Sequence, residues 1–253
     1  MRVPVETLSA FYASRLGQIT ADLVRRGISK LWPDVRDLDL LGLGYAIPYL
    51  EGFTAPRRLI TAMPASQGVL AWPQGCNATT LTEELHLPFD DAQFDRVVLV
   101  HALEDSSDPA LLLREVWRIT APEGRILVVT TCRQGLWAAG EHTPFGHGRP
   151  YSRGQLSAAL NAAMFEPTAH DRVLYMPPVE ALCGLAEMWE RAGSKIWPRL
   201  SGVVMVEAVK RLYAPTHNPQ PKRVLMSDAL TTGWSHHAGV AKRHRVPDQK
   251  IMK

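Results

Sequence analysis

The chain holds 253 residues, with 28 Lys and Arg against 25 Asp and Glu, a net charge of +3, 46% hydrophobic and 8% aromatic residues. This average globular balance excludes a wholly disordered, collagen-like or disulfide-scaffold protein. No apolar run approaches the roughly 18 residues of a membrane span and no signal-peptide core follows the first residues, so no transmembrane segment and a soluble, cytoplasmic protein are expected.

Over residues 5–31, Leu8, Phe11, Tyr12, Leu16, Ile19, Leu23, Val24 and Ile28 recur at steps of three and four, which predicts one amphipathic helix stopped by Trp32-Pro33. Residues 38–41 read as a buried strand running into the glycine turn Gly42-Leu43-Gly44-Tyr45-Ala46, followed by a short helix over 47–52 with Pro48 in its first turn. A second strand is expected over 57–63. Residues 94–103 are almost continuously β-branched or aliphatic, as in a strand covered on both faces. Ser107-Asp108-Pro109 caps a helix over 110–120, and Pro122-Glu123-Gly124 turns the chain into a strand over 125–131. Strand, helix and strand at this spacing make a βαβ unit with a right-handed crossover. A loop over 137–151, helices over 152–164 and 179–192, and strands over 172–175 and 201–212 complete an α/β domain. Its expected architecture is doubly wound, mostly parallel, with about seven strands and late antiparallel additions.

Three parts are expected: a helical segment over 1–34 packing on the body, the α/β domain over 35–215, and a tail over 216–253. From residue 216 on, seven basic residues face only Asp228 and Asp248, a balance of +5 that leaves −2 for the rest of the chain. With no apolar period, this tail is expected to be solvated, and an anionic partner is the contact its charge suits. Cys76, Cys132 and Cys183 are too widely spaced for a metal cluster and read as buried thiols.

Glycines where a strand gives way to a helix let a ligand approach the backbone. Some forty residues after Gly42-x-Gly44 comes Glu83-Glu84-Leu85-His86-Leu87-Pro88-Phe89, then Phe94-Asp95 at the apolar strand and the turn Ala121-Pro122-Glu123-Gly124. In these pieces the chain resembles the class I S-adenosylmethionine-dependent methyltransferases, in particular their type 11 branch, well over residues 35–135 and loosely elsewhere. The resemblance implies S-adenosylmethionine as cofactor and methyl transfer to an unidentified acceptor, small molecule or protein. It places Gly42 and Gly44 at the methionine part, Glu83 at the adenine amino group, the backbone of Glu84 against the ring, and His101 near the sulfonium and the acceptor. His101 and Tyr151 are the candidate catalytic residues, Tyr151 lying in the loop over 141–151 with His142, His147 and Arg149.

The sequence departs from that family at three places. Leu40 stands where an acid precedes the first glycine, since Asp39 would point to the opposite face of the strand. Ala46 replaces the third glycine, and Ala62-Met63-Pro64 stands where an acid holds the ribose hydroxyls, with Gln67 nearby as a substitute acceptor. These departures keep a second function open, a catalytically inactive protein of this fold serving as a binding or regulatory partner. A nicotinamide-dependent oxidoreductase is a third reading, in which the Leu-Pro-Phe segment has no role. Glu104, Asp105 and Asp108 read as an acidic cluster at a helix start.

Overall fold

A computed structural model of the protein describes residues 2–140 and 142–212; Glu141 and the basic tail lie outside the described residues. One seven-stranded sheet organises them: β1 (Asp39–Gly44), β2 (Arg58–Pro64), β3 (Thr79–Thr82), β4 (Phe94–Val100), β5 (Thr120–Thr131), β6 (Phe165–Val173) and β7 (Val203–Lys210). Their order is β3-β2-β1-β4-β5-β7-β6. The first five run parallel, and β7 is antiparallel to both β5 and β6. Six α-helices flank the sheet: α1 (Val5–Ala13), α2 (Arg15–Leu31), α3 (Ile47–Leu50), α4 (Pro109–Ile119), α5 (Arg153–Ala162) and α6 (Ala186–Ile196). The expected doubly wound α/β architecture is therefore present.

Alternation along the central strands builds two cores. Leu40, Val98, Val100, Leu127 and Val129 pack with residues of α1, α2 and α3 on one face. Leu41, Leu43, Val97, Leu99, Ile126 and Val128 pack with α4 and α5 on the other. Asp108 caps α4 as its sequence suggests, accepting from the N–H groups of Ala110 and Leu111 at 3.0 Å each.

Five elements differ from the sequence expectation, among them the helix expected over 179–192, which is a 3-10 segment at Glu180–Leu185 followed by α6. The helix over 5–31 is broken at Ser14, whose hydroxyl donates to the Phe11 carbonyl at 2.7 Å and accepts from the Gly17 N–H at 3.1 Å. A Cβ at Gly17 would lie 1.9 Å from the Phe11 oxygen, so glycine is required at the bend. The apolar period runs through this break because both helices bury the same layer. Strand β1 extends through both glycines, and the turn begins only at Gly44. Finally, β3 and most of β6 had no visible apolar run: they are the sheet's two edges, half exposed, and β6 contains Pro167.

Asp39 lies at the amino-terminal end of β1, where Arg57 and Arg58 grip its carboxylate at 2.6 and 3.0 Å. Hydrogen bonds from Arg57 hold that carboxyl down at about 2. Asp39 is thus a structural anchor at the end of the strand away from Gly44.

Gly44 has φ +85°, and a Cβ there would lie 2.2 Å from the Val100 carbonyl oxygen. Gly44→Ala is expected to cost at least about 2 kcal/mol of stability. Urea unfolding of the variant reads this directly; an unchanged midpoint would contradict the close approach of β1 to β4.

Candidate functional site

In a doubly wound sheet, crossovers that leave neighbouring strands on opposite faces open a crevice beyond their carboxyl ends. Here that point lies between β1 and β4. Gly44 is paired with Val100, and the Tyr45 N–H donates to the Val100 carbonyl at 2.9 Å. A Cβ on Gly42 would meet Ala46 Cβ and Leu50 Cδ1 at 2.8 Å each, so Gly42 lets α3 pack on the strand. Both glycines are demanded by the chain's packing on itself.

The amino-terminal segment crosses these strand ends. Arg2 is buried, and its guanidinium donates to the carbonyls of His101 at 3.2 Å and Ala102 at 3.1 Å and pairs with the Glu84 carboxylate. Glu84 also accepts from the Ser107 N–H at 3.2 Å and hydroxyl at 3.1 Å. The Val5 N–H donates to the Gln67 carbonyl at 2.8 Å, which fixes the segment against the loop after β2. One residue near the N-terminus thereby touches two of the positions that the sequence singled out, Glu84 and His101.

Behind Arg2, α1 inserts Tyr12 into a buried aromatic group. Its ring stacks on Tyr45 at 5.5 Å and 19° and meets Tyr49 edge-on at 5.8 Å. The Tyr12 hydroxyl lies 2.6 Å from that of Tyr49 and 2.8 Å from His101 Nε2. Burial, reinforced by Tyr49, pushes the Tyr12 phenol well above its usual value, so it stays neutral. His101 adopts the left-handed backbone region at φ 49°, uncommon for a residue with a side chain, and packs 4.8 Å from the Phe145 ring.

On its other side, His101 Nδ1 lies 3.5 Å from Glu104 Oε1. Glu104 is 3% exposed, and both of its carboxylate oxygens are buried without a hydrogen bond. This residue corrects the expected acidic cluster: Asp108 caps the helix, whereas Glu104 turns under the histidine. A His-x-x-Glu spacing just after a buried strand was the available signal. Asp105 is half-buried, and burial followed by the Glu104 charge raises its carboxyl.

The loop that carries Arg149 packs on the residues that follow β4. The Arg149 N–H donates to the Glu104 carbonyl at 2.8 Å, and a Cβ on Gly148 would meet Asp105 Oδ1 at 2.5 Å. Tyr151 exchanges backbone hydrogen bonds with Thr131 and Arg133, and its ring packs in the α4 and α5 layer. Among the described residues no hydrogen bond or ring contact joins Tyr151 to His101, but burial and then the charge of Glu104, which lies against His101, raise the Tyr151 phenol above its usual value. Glu83 is exposed, at the tight turn that pairs it with His86.

The groups around the strand ends suit a cation. A carboxylate and two carbonyls already hold a guanidinium, and such acceptors suit an ammonium equally. Gln67, 4% exposed, has a buried Nε2 without a partner, a free donor beside Met63-Pro64 where the acidic clamp is missing. Thr82 Oγ1 and Ser106 Oγ are likewise buried and unsatisfied.

Residues 39–128 match the family model of a methyltransferase domain. The chain is 39% identical over 61 residues to the chloroplastic tocopherol O-methyltransferase of Arabidopsis thaliana, covering 24% of this chain and 17% of that protein. It is 31% identical over 135 residues to the demethylmenaquinone methyltransferase of Streptomyces griseus, covering 50% of this chain and 54% of the relative. The chain thus spans from about a sixth to about half of the length of these curated relatives. Among solved structures, an S-adenosylmethionine-dependent methyltransferase from Thermotoga maritima superposes with TM-score 0.56 at 16% identity, over 82% of this chain and 96% of that one. One from Archaeoglobus fulgidus gives 0.55 at 17%, over 79% and 96%. The cyclase SpnF gives 0.54 at 18%, over 75% and 80%. At these identities the likeness establishes the fold.

Tyr12→Phe leaves the Tyr49 hydroxyl and His101 Nε2 without their shared partner in a buried setting. A loss of about 1–3 kcal/mol is expected in chemical denaturation; a loss near zero would mean that water reaches the cluster.

Proposed function

We propose that this chain, a member of the class I S-adenosylmethionine-dependent methyltransferase superfamily, binds S-adenosylmethionine at the β1–β4 crevice and transfers its methyl group to an acceptor beside His101. The observation that carries this reading is the convergence of Glu84 and the His101 and Ala102 carbonyls on one cation, at the strand ends where ligands of this fold bind.

When bound, the cofactor supplies a methyl group already activated on a sulfonium, so the protein has mainly to align the acceptor and exclude water. The His101 and Ala102 carbonyls would receive its ammonium once Arg2 leaves them, the backbone at Gly44 would border the methionine part, the backbone of Glu84 would lie against the adenine ring as the resemblance implies, and the Gln67 side chain would serve the ribose in place of an acid. Glu83 lies exposed at the rim, on the side that the resemblance gives to the adenine. Glu104 Oε1, 3.5 Å from His101 Nδ1, would orient the imidazole with Nε2 toward the acceptor side. Tyr12 covers that nitrogen, so α1 has to shift before an acceptor hydroxyl can reach it. Tyr151 would then line the acceptor side through its loop without sharing a proton with His101.

Arg2 occupies the acceptor set that the cofactor needs. The full chain is expected to bind S-adenosylmethionine and S-adenosylhomocysteine in calorimetry, and Arg2→Ala to bind about tenfold tighter because a competitor is removed. Weaker binding in Arg2→Ala would overturn the competition and make Arg2 part of the ligand's own cradle. A second reading, a binding partner that has lost catalysis, is favoured by Leu40 and Met63-Pro64 at two positions where charge is expected. No heat from either ligand at millimolar concentration, in both proteins, would decide for it.

A further inference from the structure

The connection from β6 to β7 holds a surface that the site does not use. Both β6 and β5 pair with the start of β7, Val173 and Thr131 each opposite Val203, so residues 174–202 lie at the same sheet edge as the crevice. One face of α6 is buried: a Cβ on Gly193 would lie 2.3 Å from Tyr175 Cβ, and the Glu190 carboxylate accepts from the Leu174 and Tyr175 N–H groups at 3.2 and 2.6 Å. Those contacts fix which way the helix faces.

An adjacent face points outward and is apolar. Leu185, Met188, Ala192 and Ile196 follow steps of three, four and four and form one stripe. Leu185 is 47%, Met188 51% and Ile196 67% exposed, with Val179 and Leu200 exposed at 47% and 46% on the flanking turns. Single exposed apolar residues need no explanation, but a contiguous stripe does. Half-buried Trp189 and Trp197, their rings 6.3 Å apart, lie along it.

Charge selects the occupant. Arg191, Lys195 and Arg199 border the stripe, and none of them has an ion pair among the described residues. Glu187 is neutralised by Arg26 at 2.6 Å, and Glu190 is turned inward, which leaves Glu180 as the segment's unpaired acid at its far end. An apolar stripe with tryptophans and a cationic border suits the interface of an anionic bilayer, where apolar side chains enter the acyl boundary and cations meet the headgroups. A wholly apolar partner face would leave those three cations without a counterpart, whereas anionic headgroups supply one at every position.

We infer that residues 179–200 dock this protein on an anionic lipid surface with the crevice end of the sheet turned toward the membrane. The full chain is to be sedimented with vesicles of phosphatidylcholine, with and without about a third of phosphatidylglycerol. Binding is expected only with the anionic lipid. The exposed double variant Met188→Glu/Ile196→Glu is expected to weaken it about tenfold, and Lys195→Glu/Arg199→Glu to do the same. Circular dichroism and melting controls should match the parent, since all four side chains lie outside the core. Absence of binding to anionic vesicles overturns the inference. So does binding that survives Met188→Glu/Ile196→Glu, because the basic tail then carries it. A concentration-dependent dimer abolished by Met188→Glu/Ile196→Glu, without vesicle binding, would instead make the stripe a contact between two copies.

Discussion

A buried guanidinium at the second residue of the chain is the interaction on which the state of this crevice depends. Taking a charge out of water is expensive, and the cost is offset only where enough acceptors converge on it. Here a carboxylate and two carbonyls do so, from the loop after β3 and the end of β4. A buried ion pair contributes little net stability compared with apolar packing, so its worth is specificity of position. The same geometry ties Arg2 to the chain that follows β3 and to the end of β4.

The chain beneath Arg2 follows a different logic. Glu104 is buried with unsatisfied oxygens beside a histidine in a left-handed backbone conformation. A left-handed backbone under a side chain and buried oxygens without hydrogen bonds both cost stability. Tyr12 and Tyr49 extend the cluster away from the crevice with neutral phenols, since burial raises both. The result is a histidine with one nitrogen facing a carboxylate and the other facing a hydroxyl, packed against the Phe145 ring.

Much of the fold was legible because it is written locally. The apolar run of β4, the cap at Asp108 and the turn before β5 each lie within a few residues, and together they define the βαβ unit. The two glycines stood out for the same reason, whereas the Leu-Pro-Phe segment packs against α4, where Glu115 accepts from the Leu87 N–H at 3.0 Å. Illegible parts depend on partners far along the chain. Arg2 meets residues about a hundred positions away, and nothing near it in the sequence marks it for burial. Glu104 looked like a helix-start acid because three carboxylates occur together, and only packing separates their roles. The edge strands β3 and β6 were hidden because half-exposed strands carry no continuous apolar signal.

Placement joins the crevice to the α6 surface without requiring contact between them. In a parallel sheet every segment that follows a strand's carboxyl end emerges at one edge, so the crevice, the loop at Arg149 and the connection from β6 to β7 share it by topology. Strand β7 runs antiparallel, which keeps the whole of residues 174–202 at that edge; a further crossover would have carried the chain to the far side. An apolar, positively bordered surface on this edge would hold the crevice close to whatever it rests on. On the far edge the same surface would turn the crevice away. The antiparallel return of β7 is therefore the step that starts and ends the β6–β7 connection at the same end of the sheet as Gly44 and His101.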